Sequence, residues 1–201
     1  MKYDEKAERW TEEAYADAEA YLAHRAKLIL SLGPTLAPGD TVLDLACGDG
    51  GLAAHLPGVR YTGVDSTPAM VEAARRHGRD VVLADLNEYE PPEAVAATTC
   101  FRAIYYARDR ADFFRRVAGY TERKLVFDLN PRQYGVEEVR EDLRAAGFDA
   151  LELRPFFAPQ RVSLPAPAVW TLHTLERSGP LARALLAFRF SYLCAAFRGG
   201  R

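Results

Sequence analysis

Three apolar runs in this chain end in aspartate. VLDLACGDGG (42–51) carries Asp44, YTGVD closes on Asp65, and VVLAD closes on Asp85. A carboxylate at a buried strand end is costly unless a cation or hydrogen-bond donors meet it, so each of the three calls for a partner. Gly48, Gly50 and Gly51 follow Asp44 closely. Residues without Cβ let a chain turn tightly and let a ligand lie against the backbone. A helix starting directly after the turn would add free N–H groups and positive potential. The chemistry on offer is a ligand seated on a glycine turn among carboxylates, which suits hydroxyls, amines and cations.

The elements that must position these residues alternate along the chain. Strands are expected at 41–45, 60–64, 80–84, 95–101 and 124–129, a sixth at 149–157 and a seventh at 188–197. Three- and four-residue apolar spacing predicts helix over 5–32, and further helices are expected at 50–56, 68–77, 109–119 and 136–146. Pro68 suits a first helical turn with Ser66 or Thr67 as its cap, and Gly147 suits a helix stop. Strands alternating with helices imply an α/β fold with a doubly wound, Rossmann-like, mainly parallel seven-stranded sheet flanked by helices. The chain reads as one domain: an N-terminal helical cap over 1–40, a ligand-binding core over 41–157, a Pro-punctuated helical insertion over 158–187, and a last strand and tail over 188–201. Ligands of such sheets bind beyond the carboxyl ends of the strands, where all three aspartates fall.

Composition narrows the class. With 201 residues, 49% apolar and 27% charged, the chain suits one soluble globular domain. Cys47, Cys100 and Cys194 are far apart and form no CxxC pair. That argues against a disulfide framework or a structural metal site and favours a reducing, cytoplasmic setting. The N-terminal stretch MKYDEKAERW has no apolar signal region, and 181–197 is interrupted by Arg183 and Arg189, short of a membrane span. Net charge is −2, yet residues 151–201 hold seven arginines against Glu152 and Glu176. A solvated face is one expectation for these arginines, and contact with an anionic substrate or membrane surface is the other. The slightly negative total and the lack of an RNA-binding motif give no reason to expect nucleic acid as a partner.

GDGGLA fits the loose dinucleotide pattern G-x-G-x-x-A, but Asp44 and Asp49 would oppose a pyrophosphate. Taken together, VLDLACGDG, YTGVDSTPAMVEAARR and VVLADL resemble the motifs of class I S-adenosylmethionine-dependent methyltransferases, over roughly residues 41–130. The resemblance implies a cationic sulfonium cofactor, which fits an acidic pocket. By it, Ala46, Gly48 and Gly50 let the methionine part pass close to the backbone, and Asp44 supports its ammonium group. Asp65, with Ser66 and Met70 beside it, binds the ribose. Asp85 accepts from the adenine amine, with Leu86 against the ring.

By the same resemblance, CFRAIYY after the fourth strand would place Phe101 beside the cofactor, Arg102 and Tyr106 beside the acceptor, and Tyr105 as a candidate base, with core packing for the aromatics and a surface ion pair for Arg102 as the other reading. After the fifth, Asp128 is the other candidate base, and Asn130 and Arg132 could orient a polar or anionic acceptor. None of His24, His55, His77 or His173 stands out as a base. The N-terminal helix, with Tyr3, Trp10, Tyr15 and Tyr21, resembles the cap that closes over the cofactor in this family. Pro159, Pro165, Pro167 and Trp170 of the insertion would suit a substrate wall. The leading expectation is a methyltransferase acting on a small-molecule acceptor, glycosylated or lipid-linked among the options. A nicotinamide-dependent oxidoreductase and a non-catalytic binding module that keeps the fold are the alternatives.

Overall fold

A computed structural model describes residues 10–186 and 191–199. Seven strands form one sheet in the order β3-β2-β1-β4-β5-β7-β6. They are β1 (Thr41–Leu45), β2 (Arg60–Asp65), β3 (Val81–Leu83), β4 (Val95–Cys100), β5 (Thr121–Leu129), β6 (Ala150–Phe156) and β7 (Ser191–Phe197). The first five run parallel, and β7 pairs antiparallel with both β5 and β6. Positions 188–190 of the expected last strand lie outside the described residues, as does Tyr3. The helices are α1 (Trp10–Ala14), α2 (Ala18–Ser31), α3 (Pro68–Arg76), α4 (Arg110–Tyr120), α5 (Val136–Ala145), α6 (Ala166–Leu175) and α7 (Pro180–Leu185).

Two expectations are corrected. The N-terminal stretch forms two helices rather than one, because Asp17 takes the N-cap position and accepts the Ala20 N–H at 2.9 Å. The stretch after the glycine turn is a five-residue 3-10 helix, Gly51–His55, too short to align many peptide dipoles. Thr67 does occupy the N-cap of α3, but its side chain makes no capping bond. The Asp65 carboxylate instead accepts the Thr67 N–H at 2.9 Å.

Alternation along the strands sorts the core into two layers. Leu43, Leu45, Leu125 and Phe127 pack with Phe113, Phe114 and Val117 of α4 and Val139 and Leu143 of α5. Val42, Ala97, Val126 and Leu193 face the other way, onto Tyr21, Leu22, Ala26 and Ile29 of α2. By the same period-two rule Asp44, Thr99 and Asp128 belong to the side that α2 covers. Lys124 shares that side: it is fully buried and donates to the Leu32 carbonyl at 2.6 Å, closing the end of α2. Central β1 pairs with β2 on one side and β4 on the other, so the strand order reverses there. The crevice at that reversal is where an open α/β sheet holds its ligand.

The helical insertion packs onto Phe157 through Ala182 and Leu186. His24 of α2 meets Glu176 at 2.9 Å, and the His24 ring stacks on His173 at 3.6 Å and 12°. These three side chains offer ligand-type atoms within 4.8 Å of one another. With the rings face to face, one ion cannot lie in both ring planes, so in this arrangement the group is a clamp between α2 and α6. Glu176, buried, also accepts the Phe157 N–H at 2.8 Å.

Candidate active site

A cavity of about 520 Å³ opens at the carboxyl ends of β1, β2 and β4, within the range that holds small molecules and cofactors. Asp44, Ala46, Gly48, Asp65, Ser66, Met70, Asp85, Leu86 and Phe101 all line it, as do Arg102, Tyr105 and Tyr106. The three strand-end aspartates are therefore brought to one site. Gly50 is outside the lining and serves the turn, at φ +68° with its N–H bonded to the Cys47 carbonyl at 3.1 Å.

Each carboxylate has its own setting. Asp44 is 4% exposed and accepts hydrogen bonds from Tyr61 Oη at 2.8 Å and Thr99 Oγ1 at 2.6 Å. Burial pushes its carboxyl up to about 6, against the pull of those bonds and the Arg25 charge. Asp65 accepts the Gly48 N–H at 2.8 Å, which fixes the glycine turn to the end of β2. Asp85 accepts the Asn87 backbone and side-chain N–H groups, each at 2.8 Å. Those bonds and the Arg108 charge hold its carboxyl below the usual range. A carboxylate oxygen has more than one acceptor site, so all three keep capacity for a ligand.

The turn itself is shaped by conformations that disfavour most side chains. Gly48 has φ +61°, and the edge of the Trp10 ring lies 3.1 Å from where a Cβ on Gly48 would stand. Ala46 and Arg102, both at the cavity, hold φ values of +57° and +55°, at a cost of about 1–3 kcal/mol each. Helix α1 is pinned over the turn. Asp49 accepts the Thr11 N–H at 3.1 Å and the Thr11 hydroxyl at 2.5 Å. Trp10 packs against Met70 and Ala73 of α3. Asp49 also accepts the Gly51 N–H at 3.1 Å, so the N–H that a phosphate would use after a glycine turn is already taken by a carboxylate.

Other expected residues fall elsewhere. Asp128 does not line the cavity; it accepts the Arg102 N–H at 2.6 Å, and burial raises its carboxyl above the usual range. Asn130 and Arg132 also stand outside the lining, where the Asn130 side chain accepts the Arg132 N–H at 3.0 Å within a turn. Trp170 is 71% exposed and forms no part of the cavity wall. The insertion instead sends Gln160 and Arg161 to a second hollow that shares Trp10, Tyr15 and Arg102 with the first. Of the C-terminal arginines, Arg154 pairs with Glu152 at 3.4 Å and Arg198 donates to the Ala118 carbonyl at 2.7 Å. Arg189 and Arg201 are outside the described residues. Among the described residues no helix is long and apolar enough to cross a membrane.

Thr11, Arg25, Asn87 and Arg108 are polar residues that sequence reading did not place at the site and that line the cavity. Arg25 lies 4% exposed on the inner side of α2. Nothing in its local sequence, YLAHRAKL, separates it from Arg and Lys residues that face solvent.

A methyltransferase-domain family model matches residues 42–124. Trans-aconitate 2-methyltransferase of Mycobacterium tuberculosis is 31% identical over 111 residues, covering 50% of this chain and 42% of that protein. The chain thus spans under half the length of this curated relative. Among solved structures, a chain from the complex of the Haloferax volcanii Trm112 methyltransferase activator with a methyltransferase superposes with TM-score 0.68, at 21% identity over 98% of both chains. Magnesium protoporphyrin IX methyltransferase of Synechocystis PCC 6803 follows at TM-score 0.59, with 17% identity over 98% of this chain and 82% of that one. At those identities the structures speak for the fold alone. Residues 42–124 are thus similar in sequence to a methyltransferase domain, and the fold around them is the one these solved structures share.

Proposed function

We propose that the chain binds S-adenosylmethionine in the 520 Å³ cavity and methylates a small-molecule acceptor. The observation that carries this reading is the convergence of Asp44, Asp65 and Asp85 on one cavity around the Gly48 turn. The cofactor supplies an electrophilic methyl group on a sulfonium, and the chain's own residues do the rest by holding and orienting. Asp44 receives the ammonium of the methionine part, Asp65 the ribose hydroxyls, and Asp85 the adenine amine, with Leu86 against the ring. Gly48 lets the backbone approach closely, and α1, pinned by Thr11 to Asp49, covers the turn. Phe101, Arg102, Tyr105 and Tyr106 form the wall toward the acceptor.

Displacement at carbon needs donor and acceptor in line, so positioning contributes much of the rate. For a hydroxyl acceptor Tyr105 is the base within the wall, and Asp128 acts as a positioning group through the Arg102 backbone. The M. tuberculosis relative's name places trans-aconitate, a carboxylated small molecule, first among acceptors to try. The nicotinamide reading loses ground because Asp49 holds the Gly51 N–H that a pyrophosphate would need. A chain without catalysis would show itself by binding donor and turning over no acceptor.

Calorimetric titration with S-adenosylmethionine and, alongside, NADH tests the reading. The expected result is micromolar donor affinity, no NADH affinity, and at least a tenfold loss of donor affinity in Asp65→Ala. Binding of NADH alone would overturn it.

A further inference from the structure

Helix α6 turns an uncharged face outward. Its exposed residues are Ala166, Pro167, Trp170, Thr171 and Thr174, at the three- and four-residue spacing of one helix side. The outer face of a surface helix ordinarily carries charge, and none of these five does. The hydroxyls of Thr171 and Thr174 donate back to the Pro167 and Trp170 carbonyls, each at 2.9 Å, so even the polar groups of this face are turned onto their own helix. Six large apolar side chains are exposed among the described residues. Tyr105 and Tyr106 belong to the cavity, whereas Val162, Trp170 and Leu181 all belong to the insertion. Leu172 and Leu175 of α6 and Ala182 of α7 pack with Phe157, so the outer residues of both helices point away from one shared cluster.

The charge beside this face has one sign. Arg161, Arg177 and Arg183 are exposed, and the single acid of residues 158–186, Glu176, is buried against His24 and the Phe157 N–H. Elsewhere on the surface arginines are matched: Arg76 with Glu72 at 3.0 Å, Arg108 with Glu88 at 2.8 Å and Arg140 with Glu137 at 3.3 Å. Among the described residues the three insertion arginines have no such carboxylate. Lys27 of α2 adds a further cation nearby, acting with Arg177 on His173.

Apolar side chains among unmatched arginines, on short helices, are the composition of an element that lies in the headgroup layer of a membrane. The apolar groups enter the acyl boundary and the cations meet lipid phosphates. A second copy of this chain suits the face less well, because a two-fold contact would set the same arginines against each other with no exposed acid between them.

We propose that α6, α7 and the loop before them form a docking face for the surface of an anionic lipid bilayer. Trp170 enters the headgroup layer, and Arg161, Arg177 and Arg183 meet the lipid phosphates. This inference does not depend on which cofactor the cavity holds.

The test sediments the purified chain with vesicles of phosphatidylcholine alone and of phosphatidylcholine mixed equally with phosphatidylglycerol. The anionic vesicles are expected to capture the chain, the neutral ones to leave it in solution, and high salt to release it. Arg177→Gln should weaken capture about fivefold, the share of one arginine near such a surface, and Trp170→Ser by at least as much. Both side chains are exposed, so both variants should keep the wild-type urea midpoint. Brominated acyl chains should quench the wild-type tryptophan emission, and Trp170→Phe should abolish that quenching because Trp10 lies over the glycine turn. The proposal is overturned if anionic vesicles capture no protein, or if Arg177→Gln and Trp170→Ser are captured as well as wild type. A chain that ignores vesicles and sediments as a dimer, with Trp170→Ser monomeric, would overturn it in favour of a contact between copies.

Discussion

Replacing Asp44 by asparagine should make the folded chain more stable and the site worse. The Asp44 carboxyl lies at about 6 in the fold against an ordinary 3.8, with burial as the largest cause. A shift of roughly two units corresponds to about 3 kcal/mol. The sign follows from proton uptake. Between the two values the folded chain holds a proton that the unfolded chain has lost, so stability falls as pH rises through that window. Above about 6 the whole cost of burying the charge is present. The replacement amide keeps an acceptor for Tyr61 or Thr99 and removes the charge. Some of the gain is lost because an amide cannot accept both bonds and no longer balances Arg25. The expected net gain at pH 7.5 is about 1–3 kcal/mol, read as a higher urea midpoint. The advantage over wild type should shrink by about 2 kcal/mol at pH 4.5. Donor affinity should fall at least tenfold, and wild-type affinity should weaken below about pH 6 as Asp44 takes up its proton. If Asp44→Asn is less stable than wild type by the same amount at both pH values, the buried-charge reasoning is wrong.

Two further changes probe the turn and the segment over it. Gly48→Ala forces a side chain into φ +61° beside the Trp10 ring, so about 1–2 kcal/mol of stability should be lost. Calorimetry should show a matching drop in donor affinity, and an unchanged affinity would mean that the backbone approach at Gly48 is not used. Thr11→Val removes the hydroxyl bond to Asp49 and keeps the backbone one. Hydrogen exchange at residues 10–14 should quicken about tenfold while β4 and β5 stay protected, and equal exchange would show that the hydroxyl bond does not hold α1.

Much of the fold was legible because its signals are local. A period of two in TVLDL and KLVFDL, and glycine and proline at the turns, are each written within a few residues. The strand-end aspartates were legible for the same reason, since an acidic residue closing an apolar run stands out in any window. The 3-10 form after the turn was not legible, because it depends on Asp49 taking the Gly51 N–H at 3.1 Å while bonding Thr11, 38 positions earlier. Trp170 and Asn130 illustrate the converse: their types suit a binding wall, but packing left one exposed and the other in a turn.

By itself the sequence determined which residues could share a face and which strand ends would carry charge, because side-chain direction follows from backbone period alone. Only the tertiary structure decided which distant groups meet there. Arg25 reaches the cavity because α2 lies across the side of the sheet holding Asp44 and Asp128, and His24 finds Glu176 152 positions away. Such pairings depend on how helices seat on the sheet, and no local pattern encodes that seating.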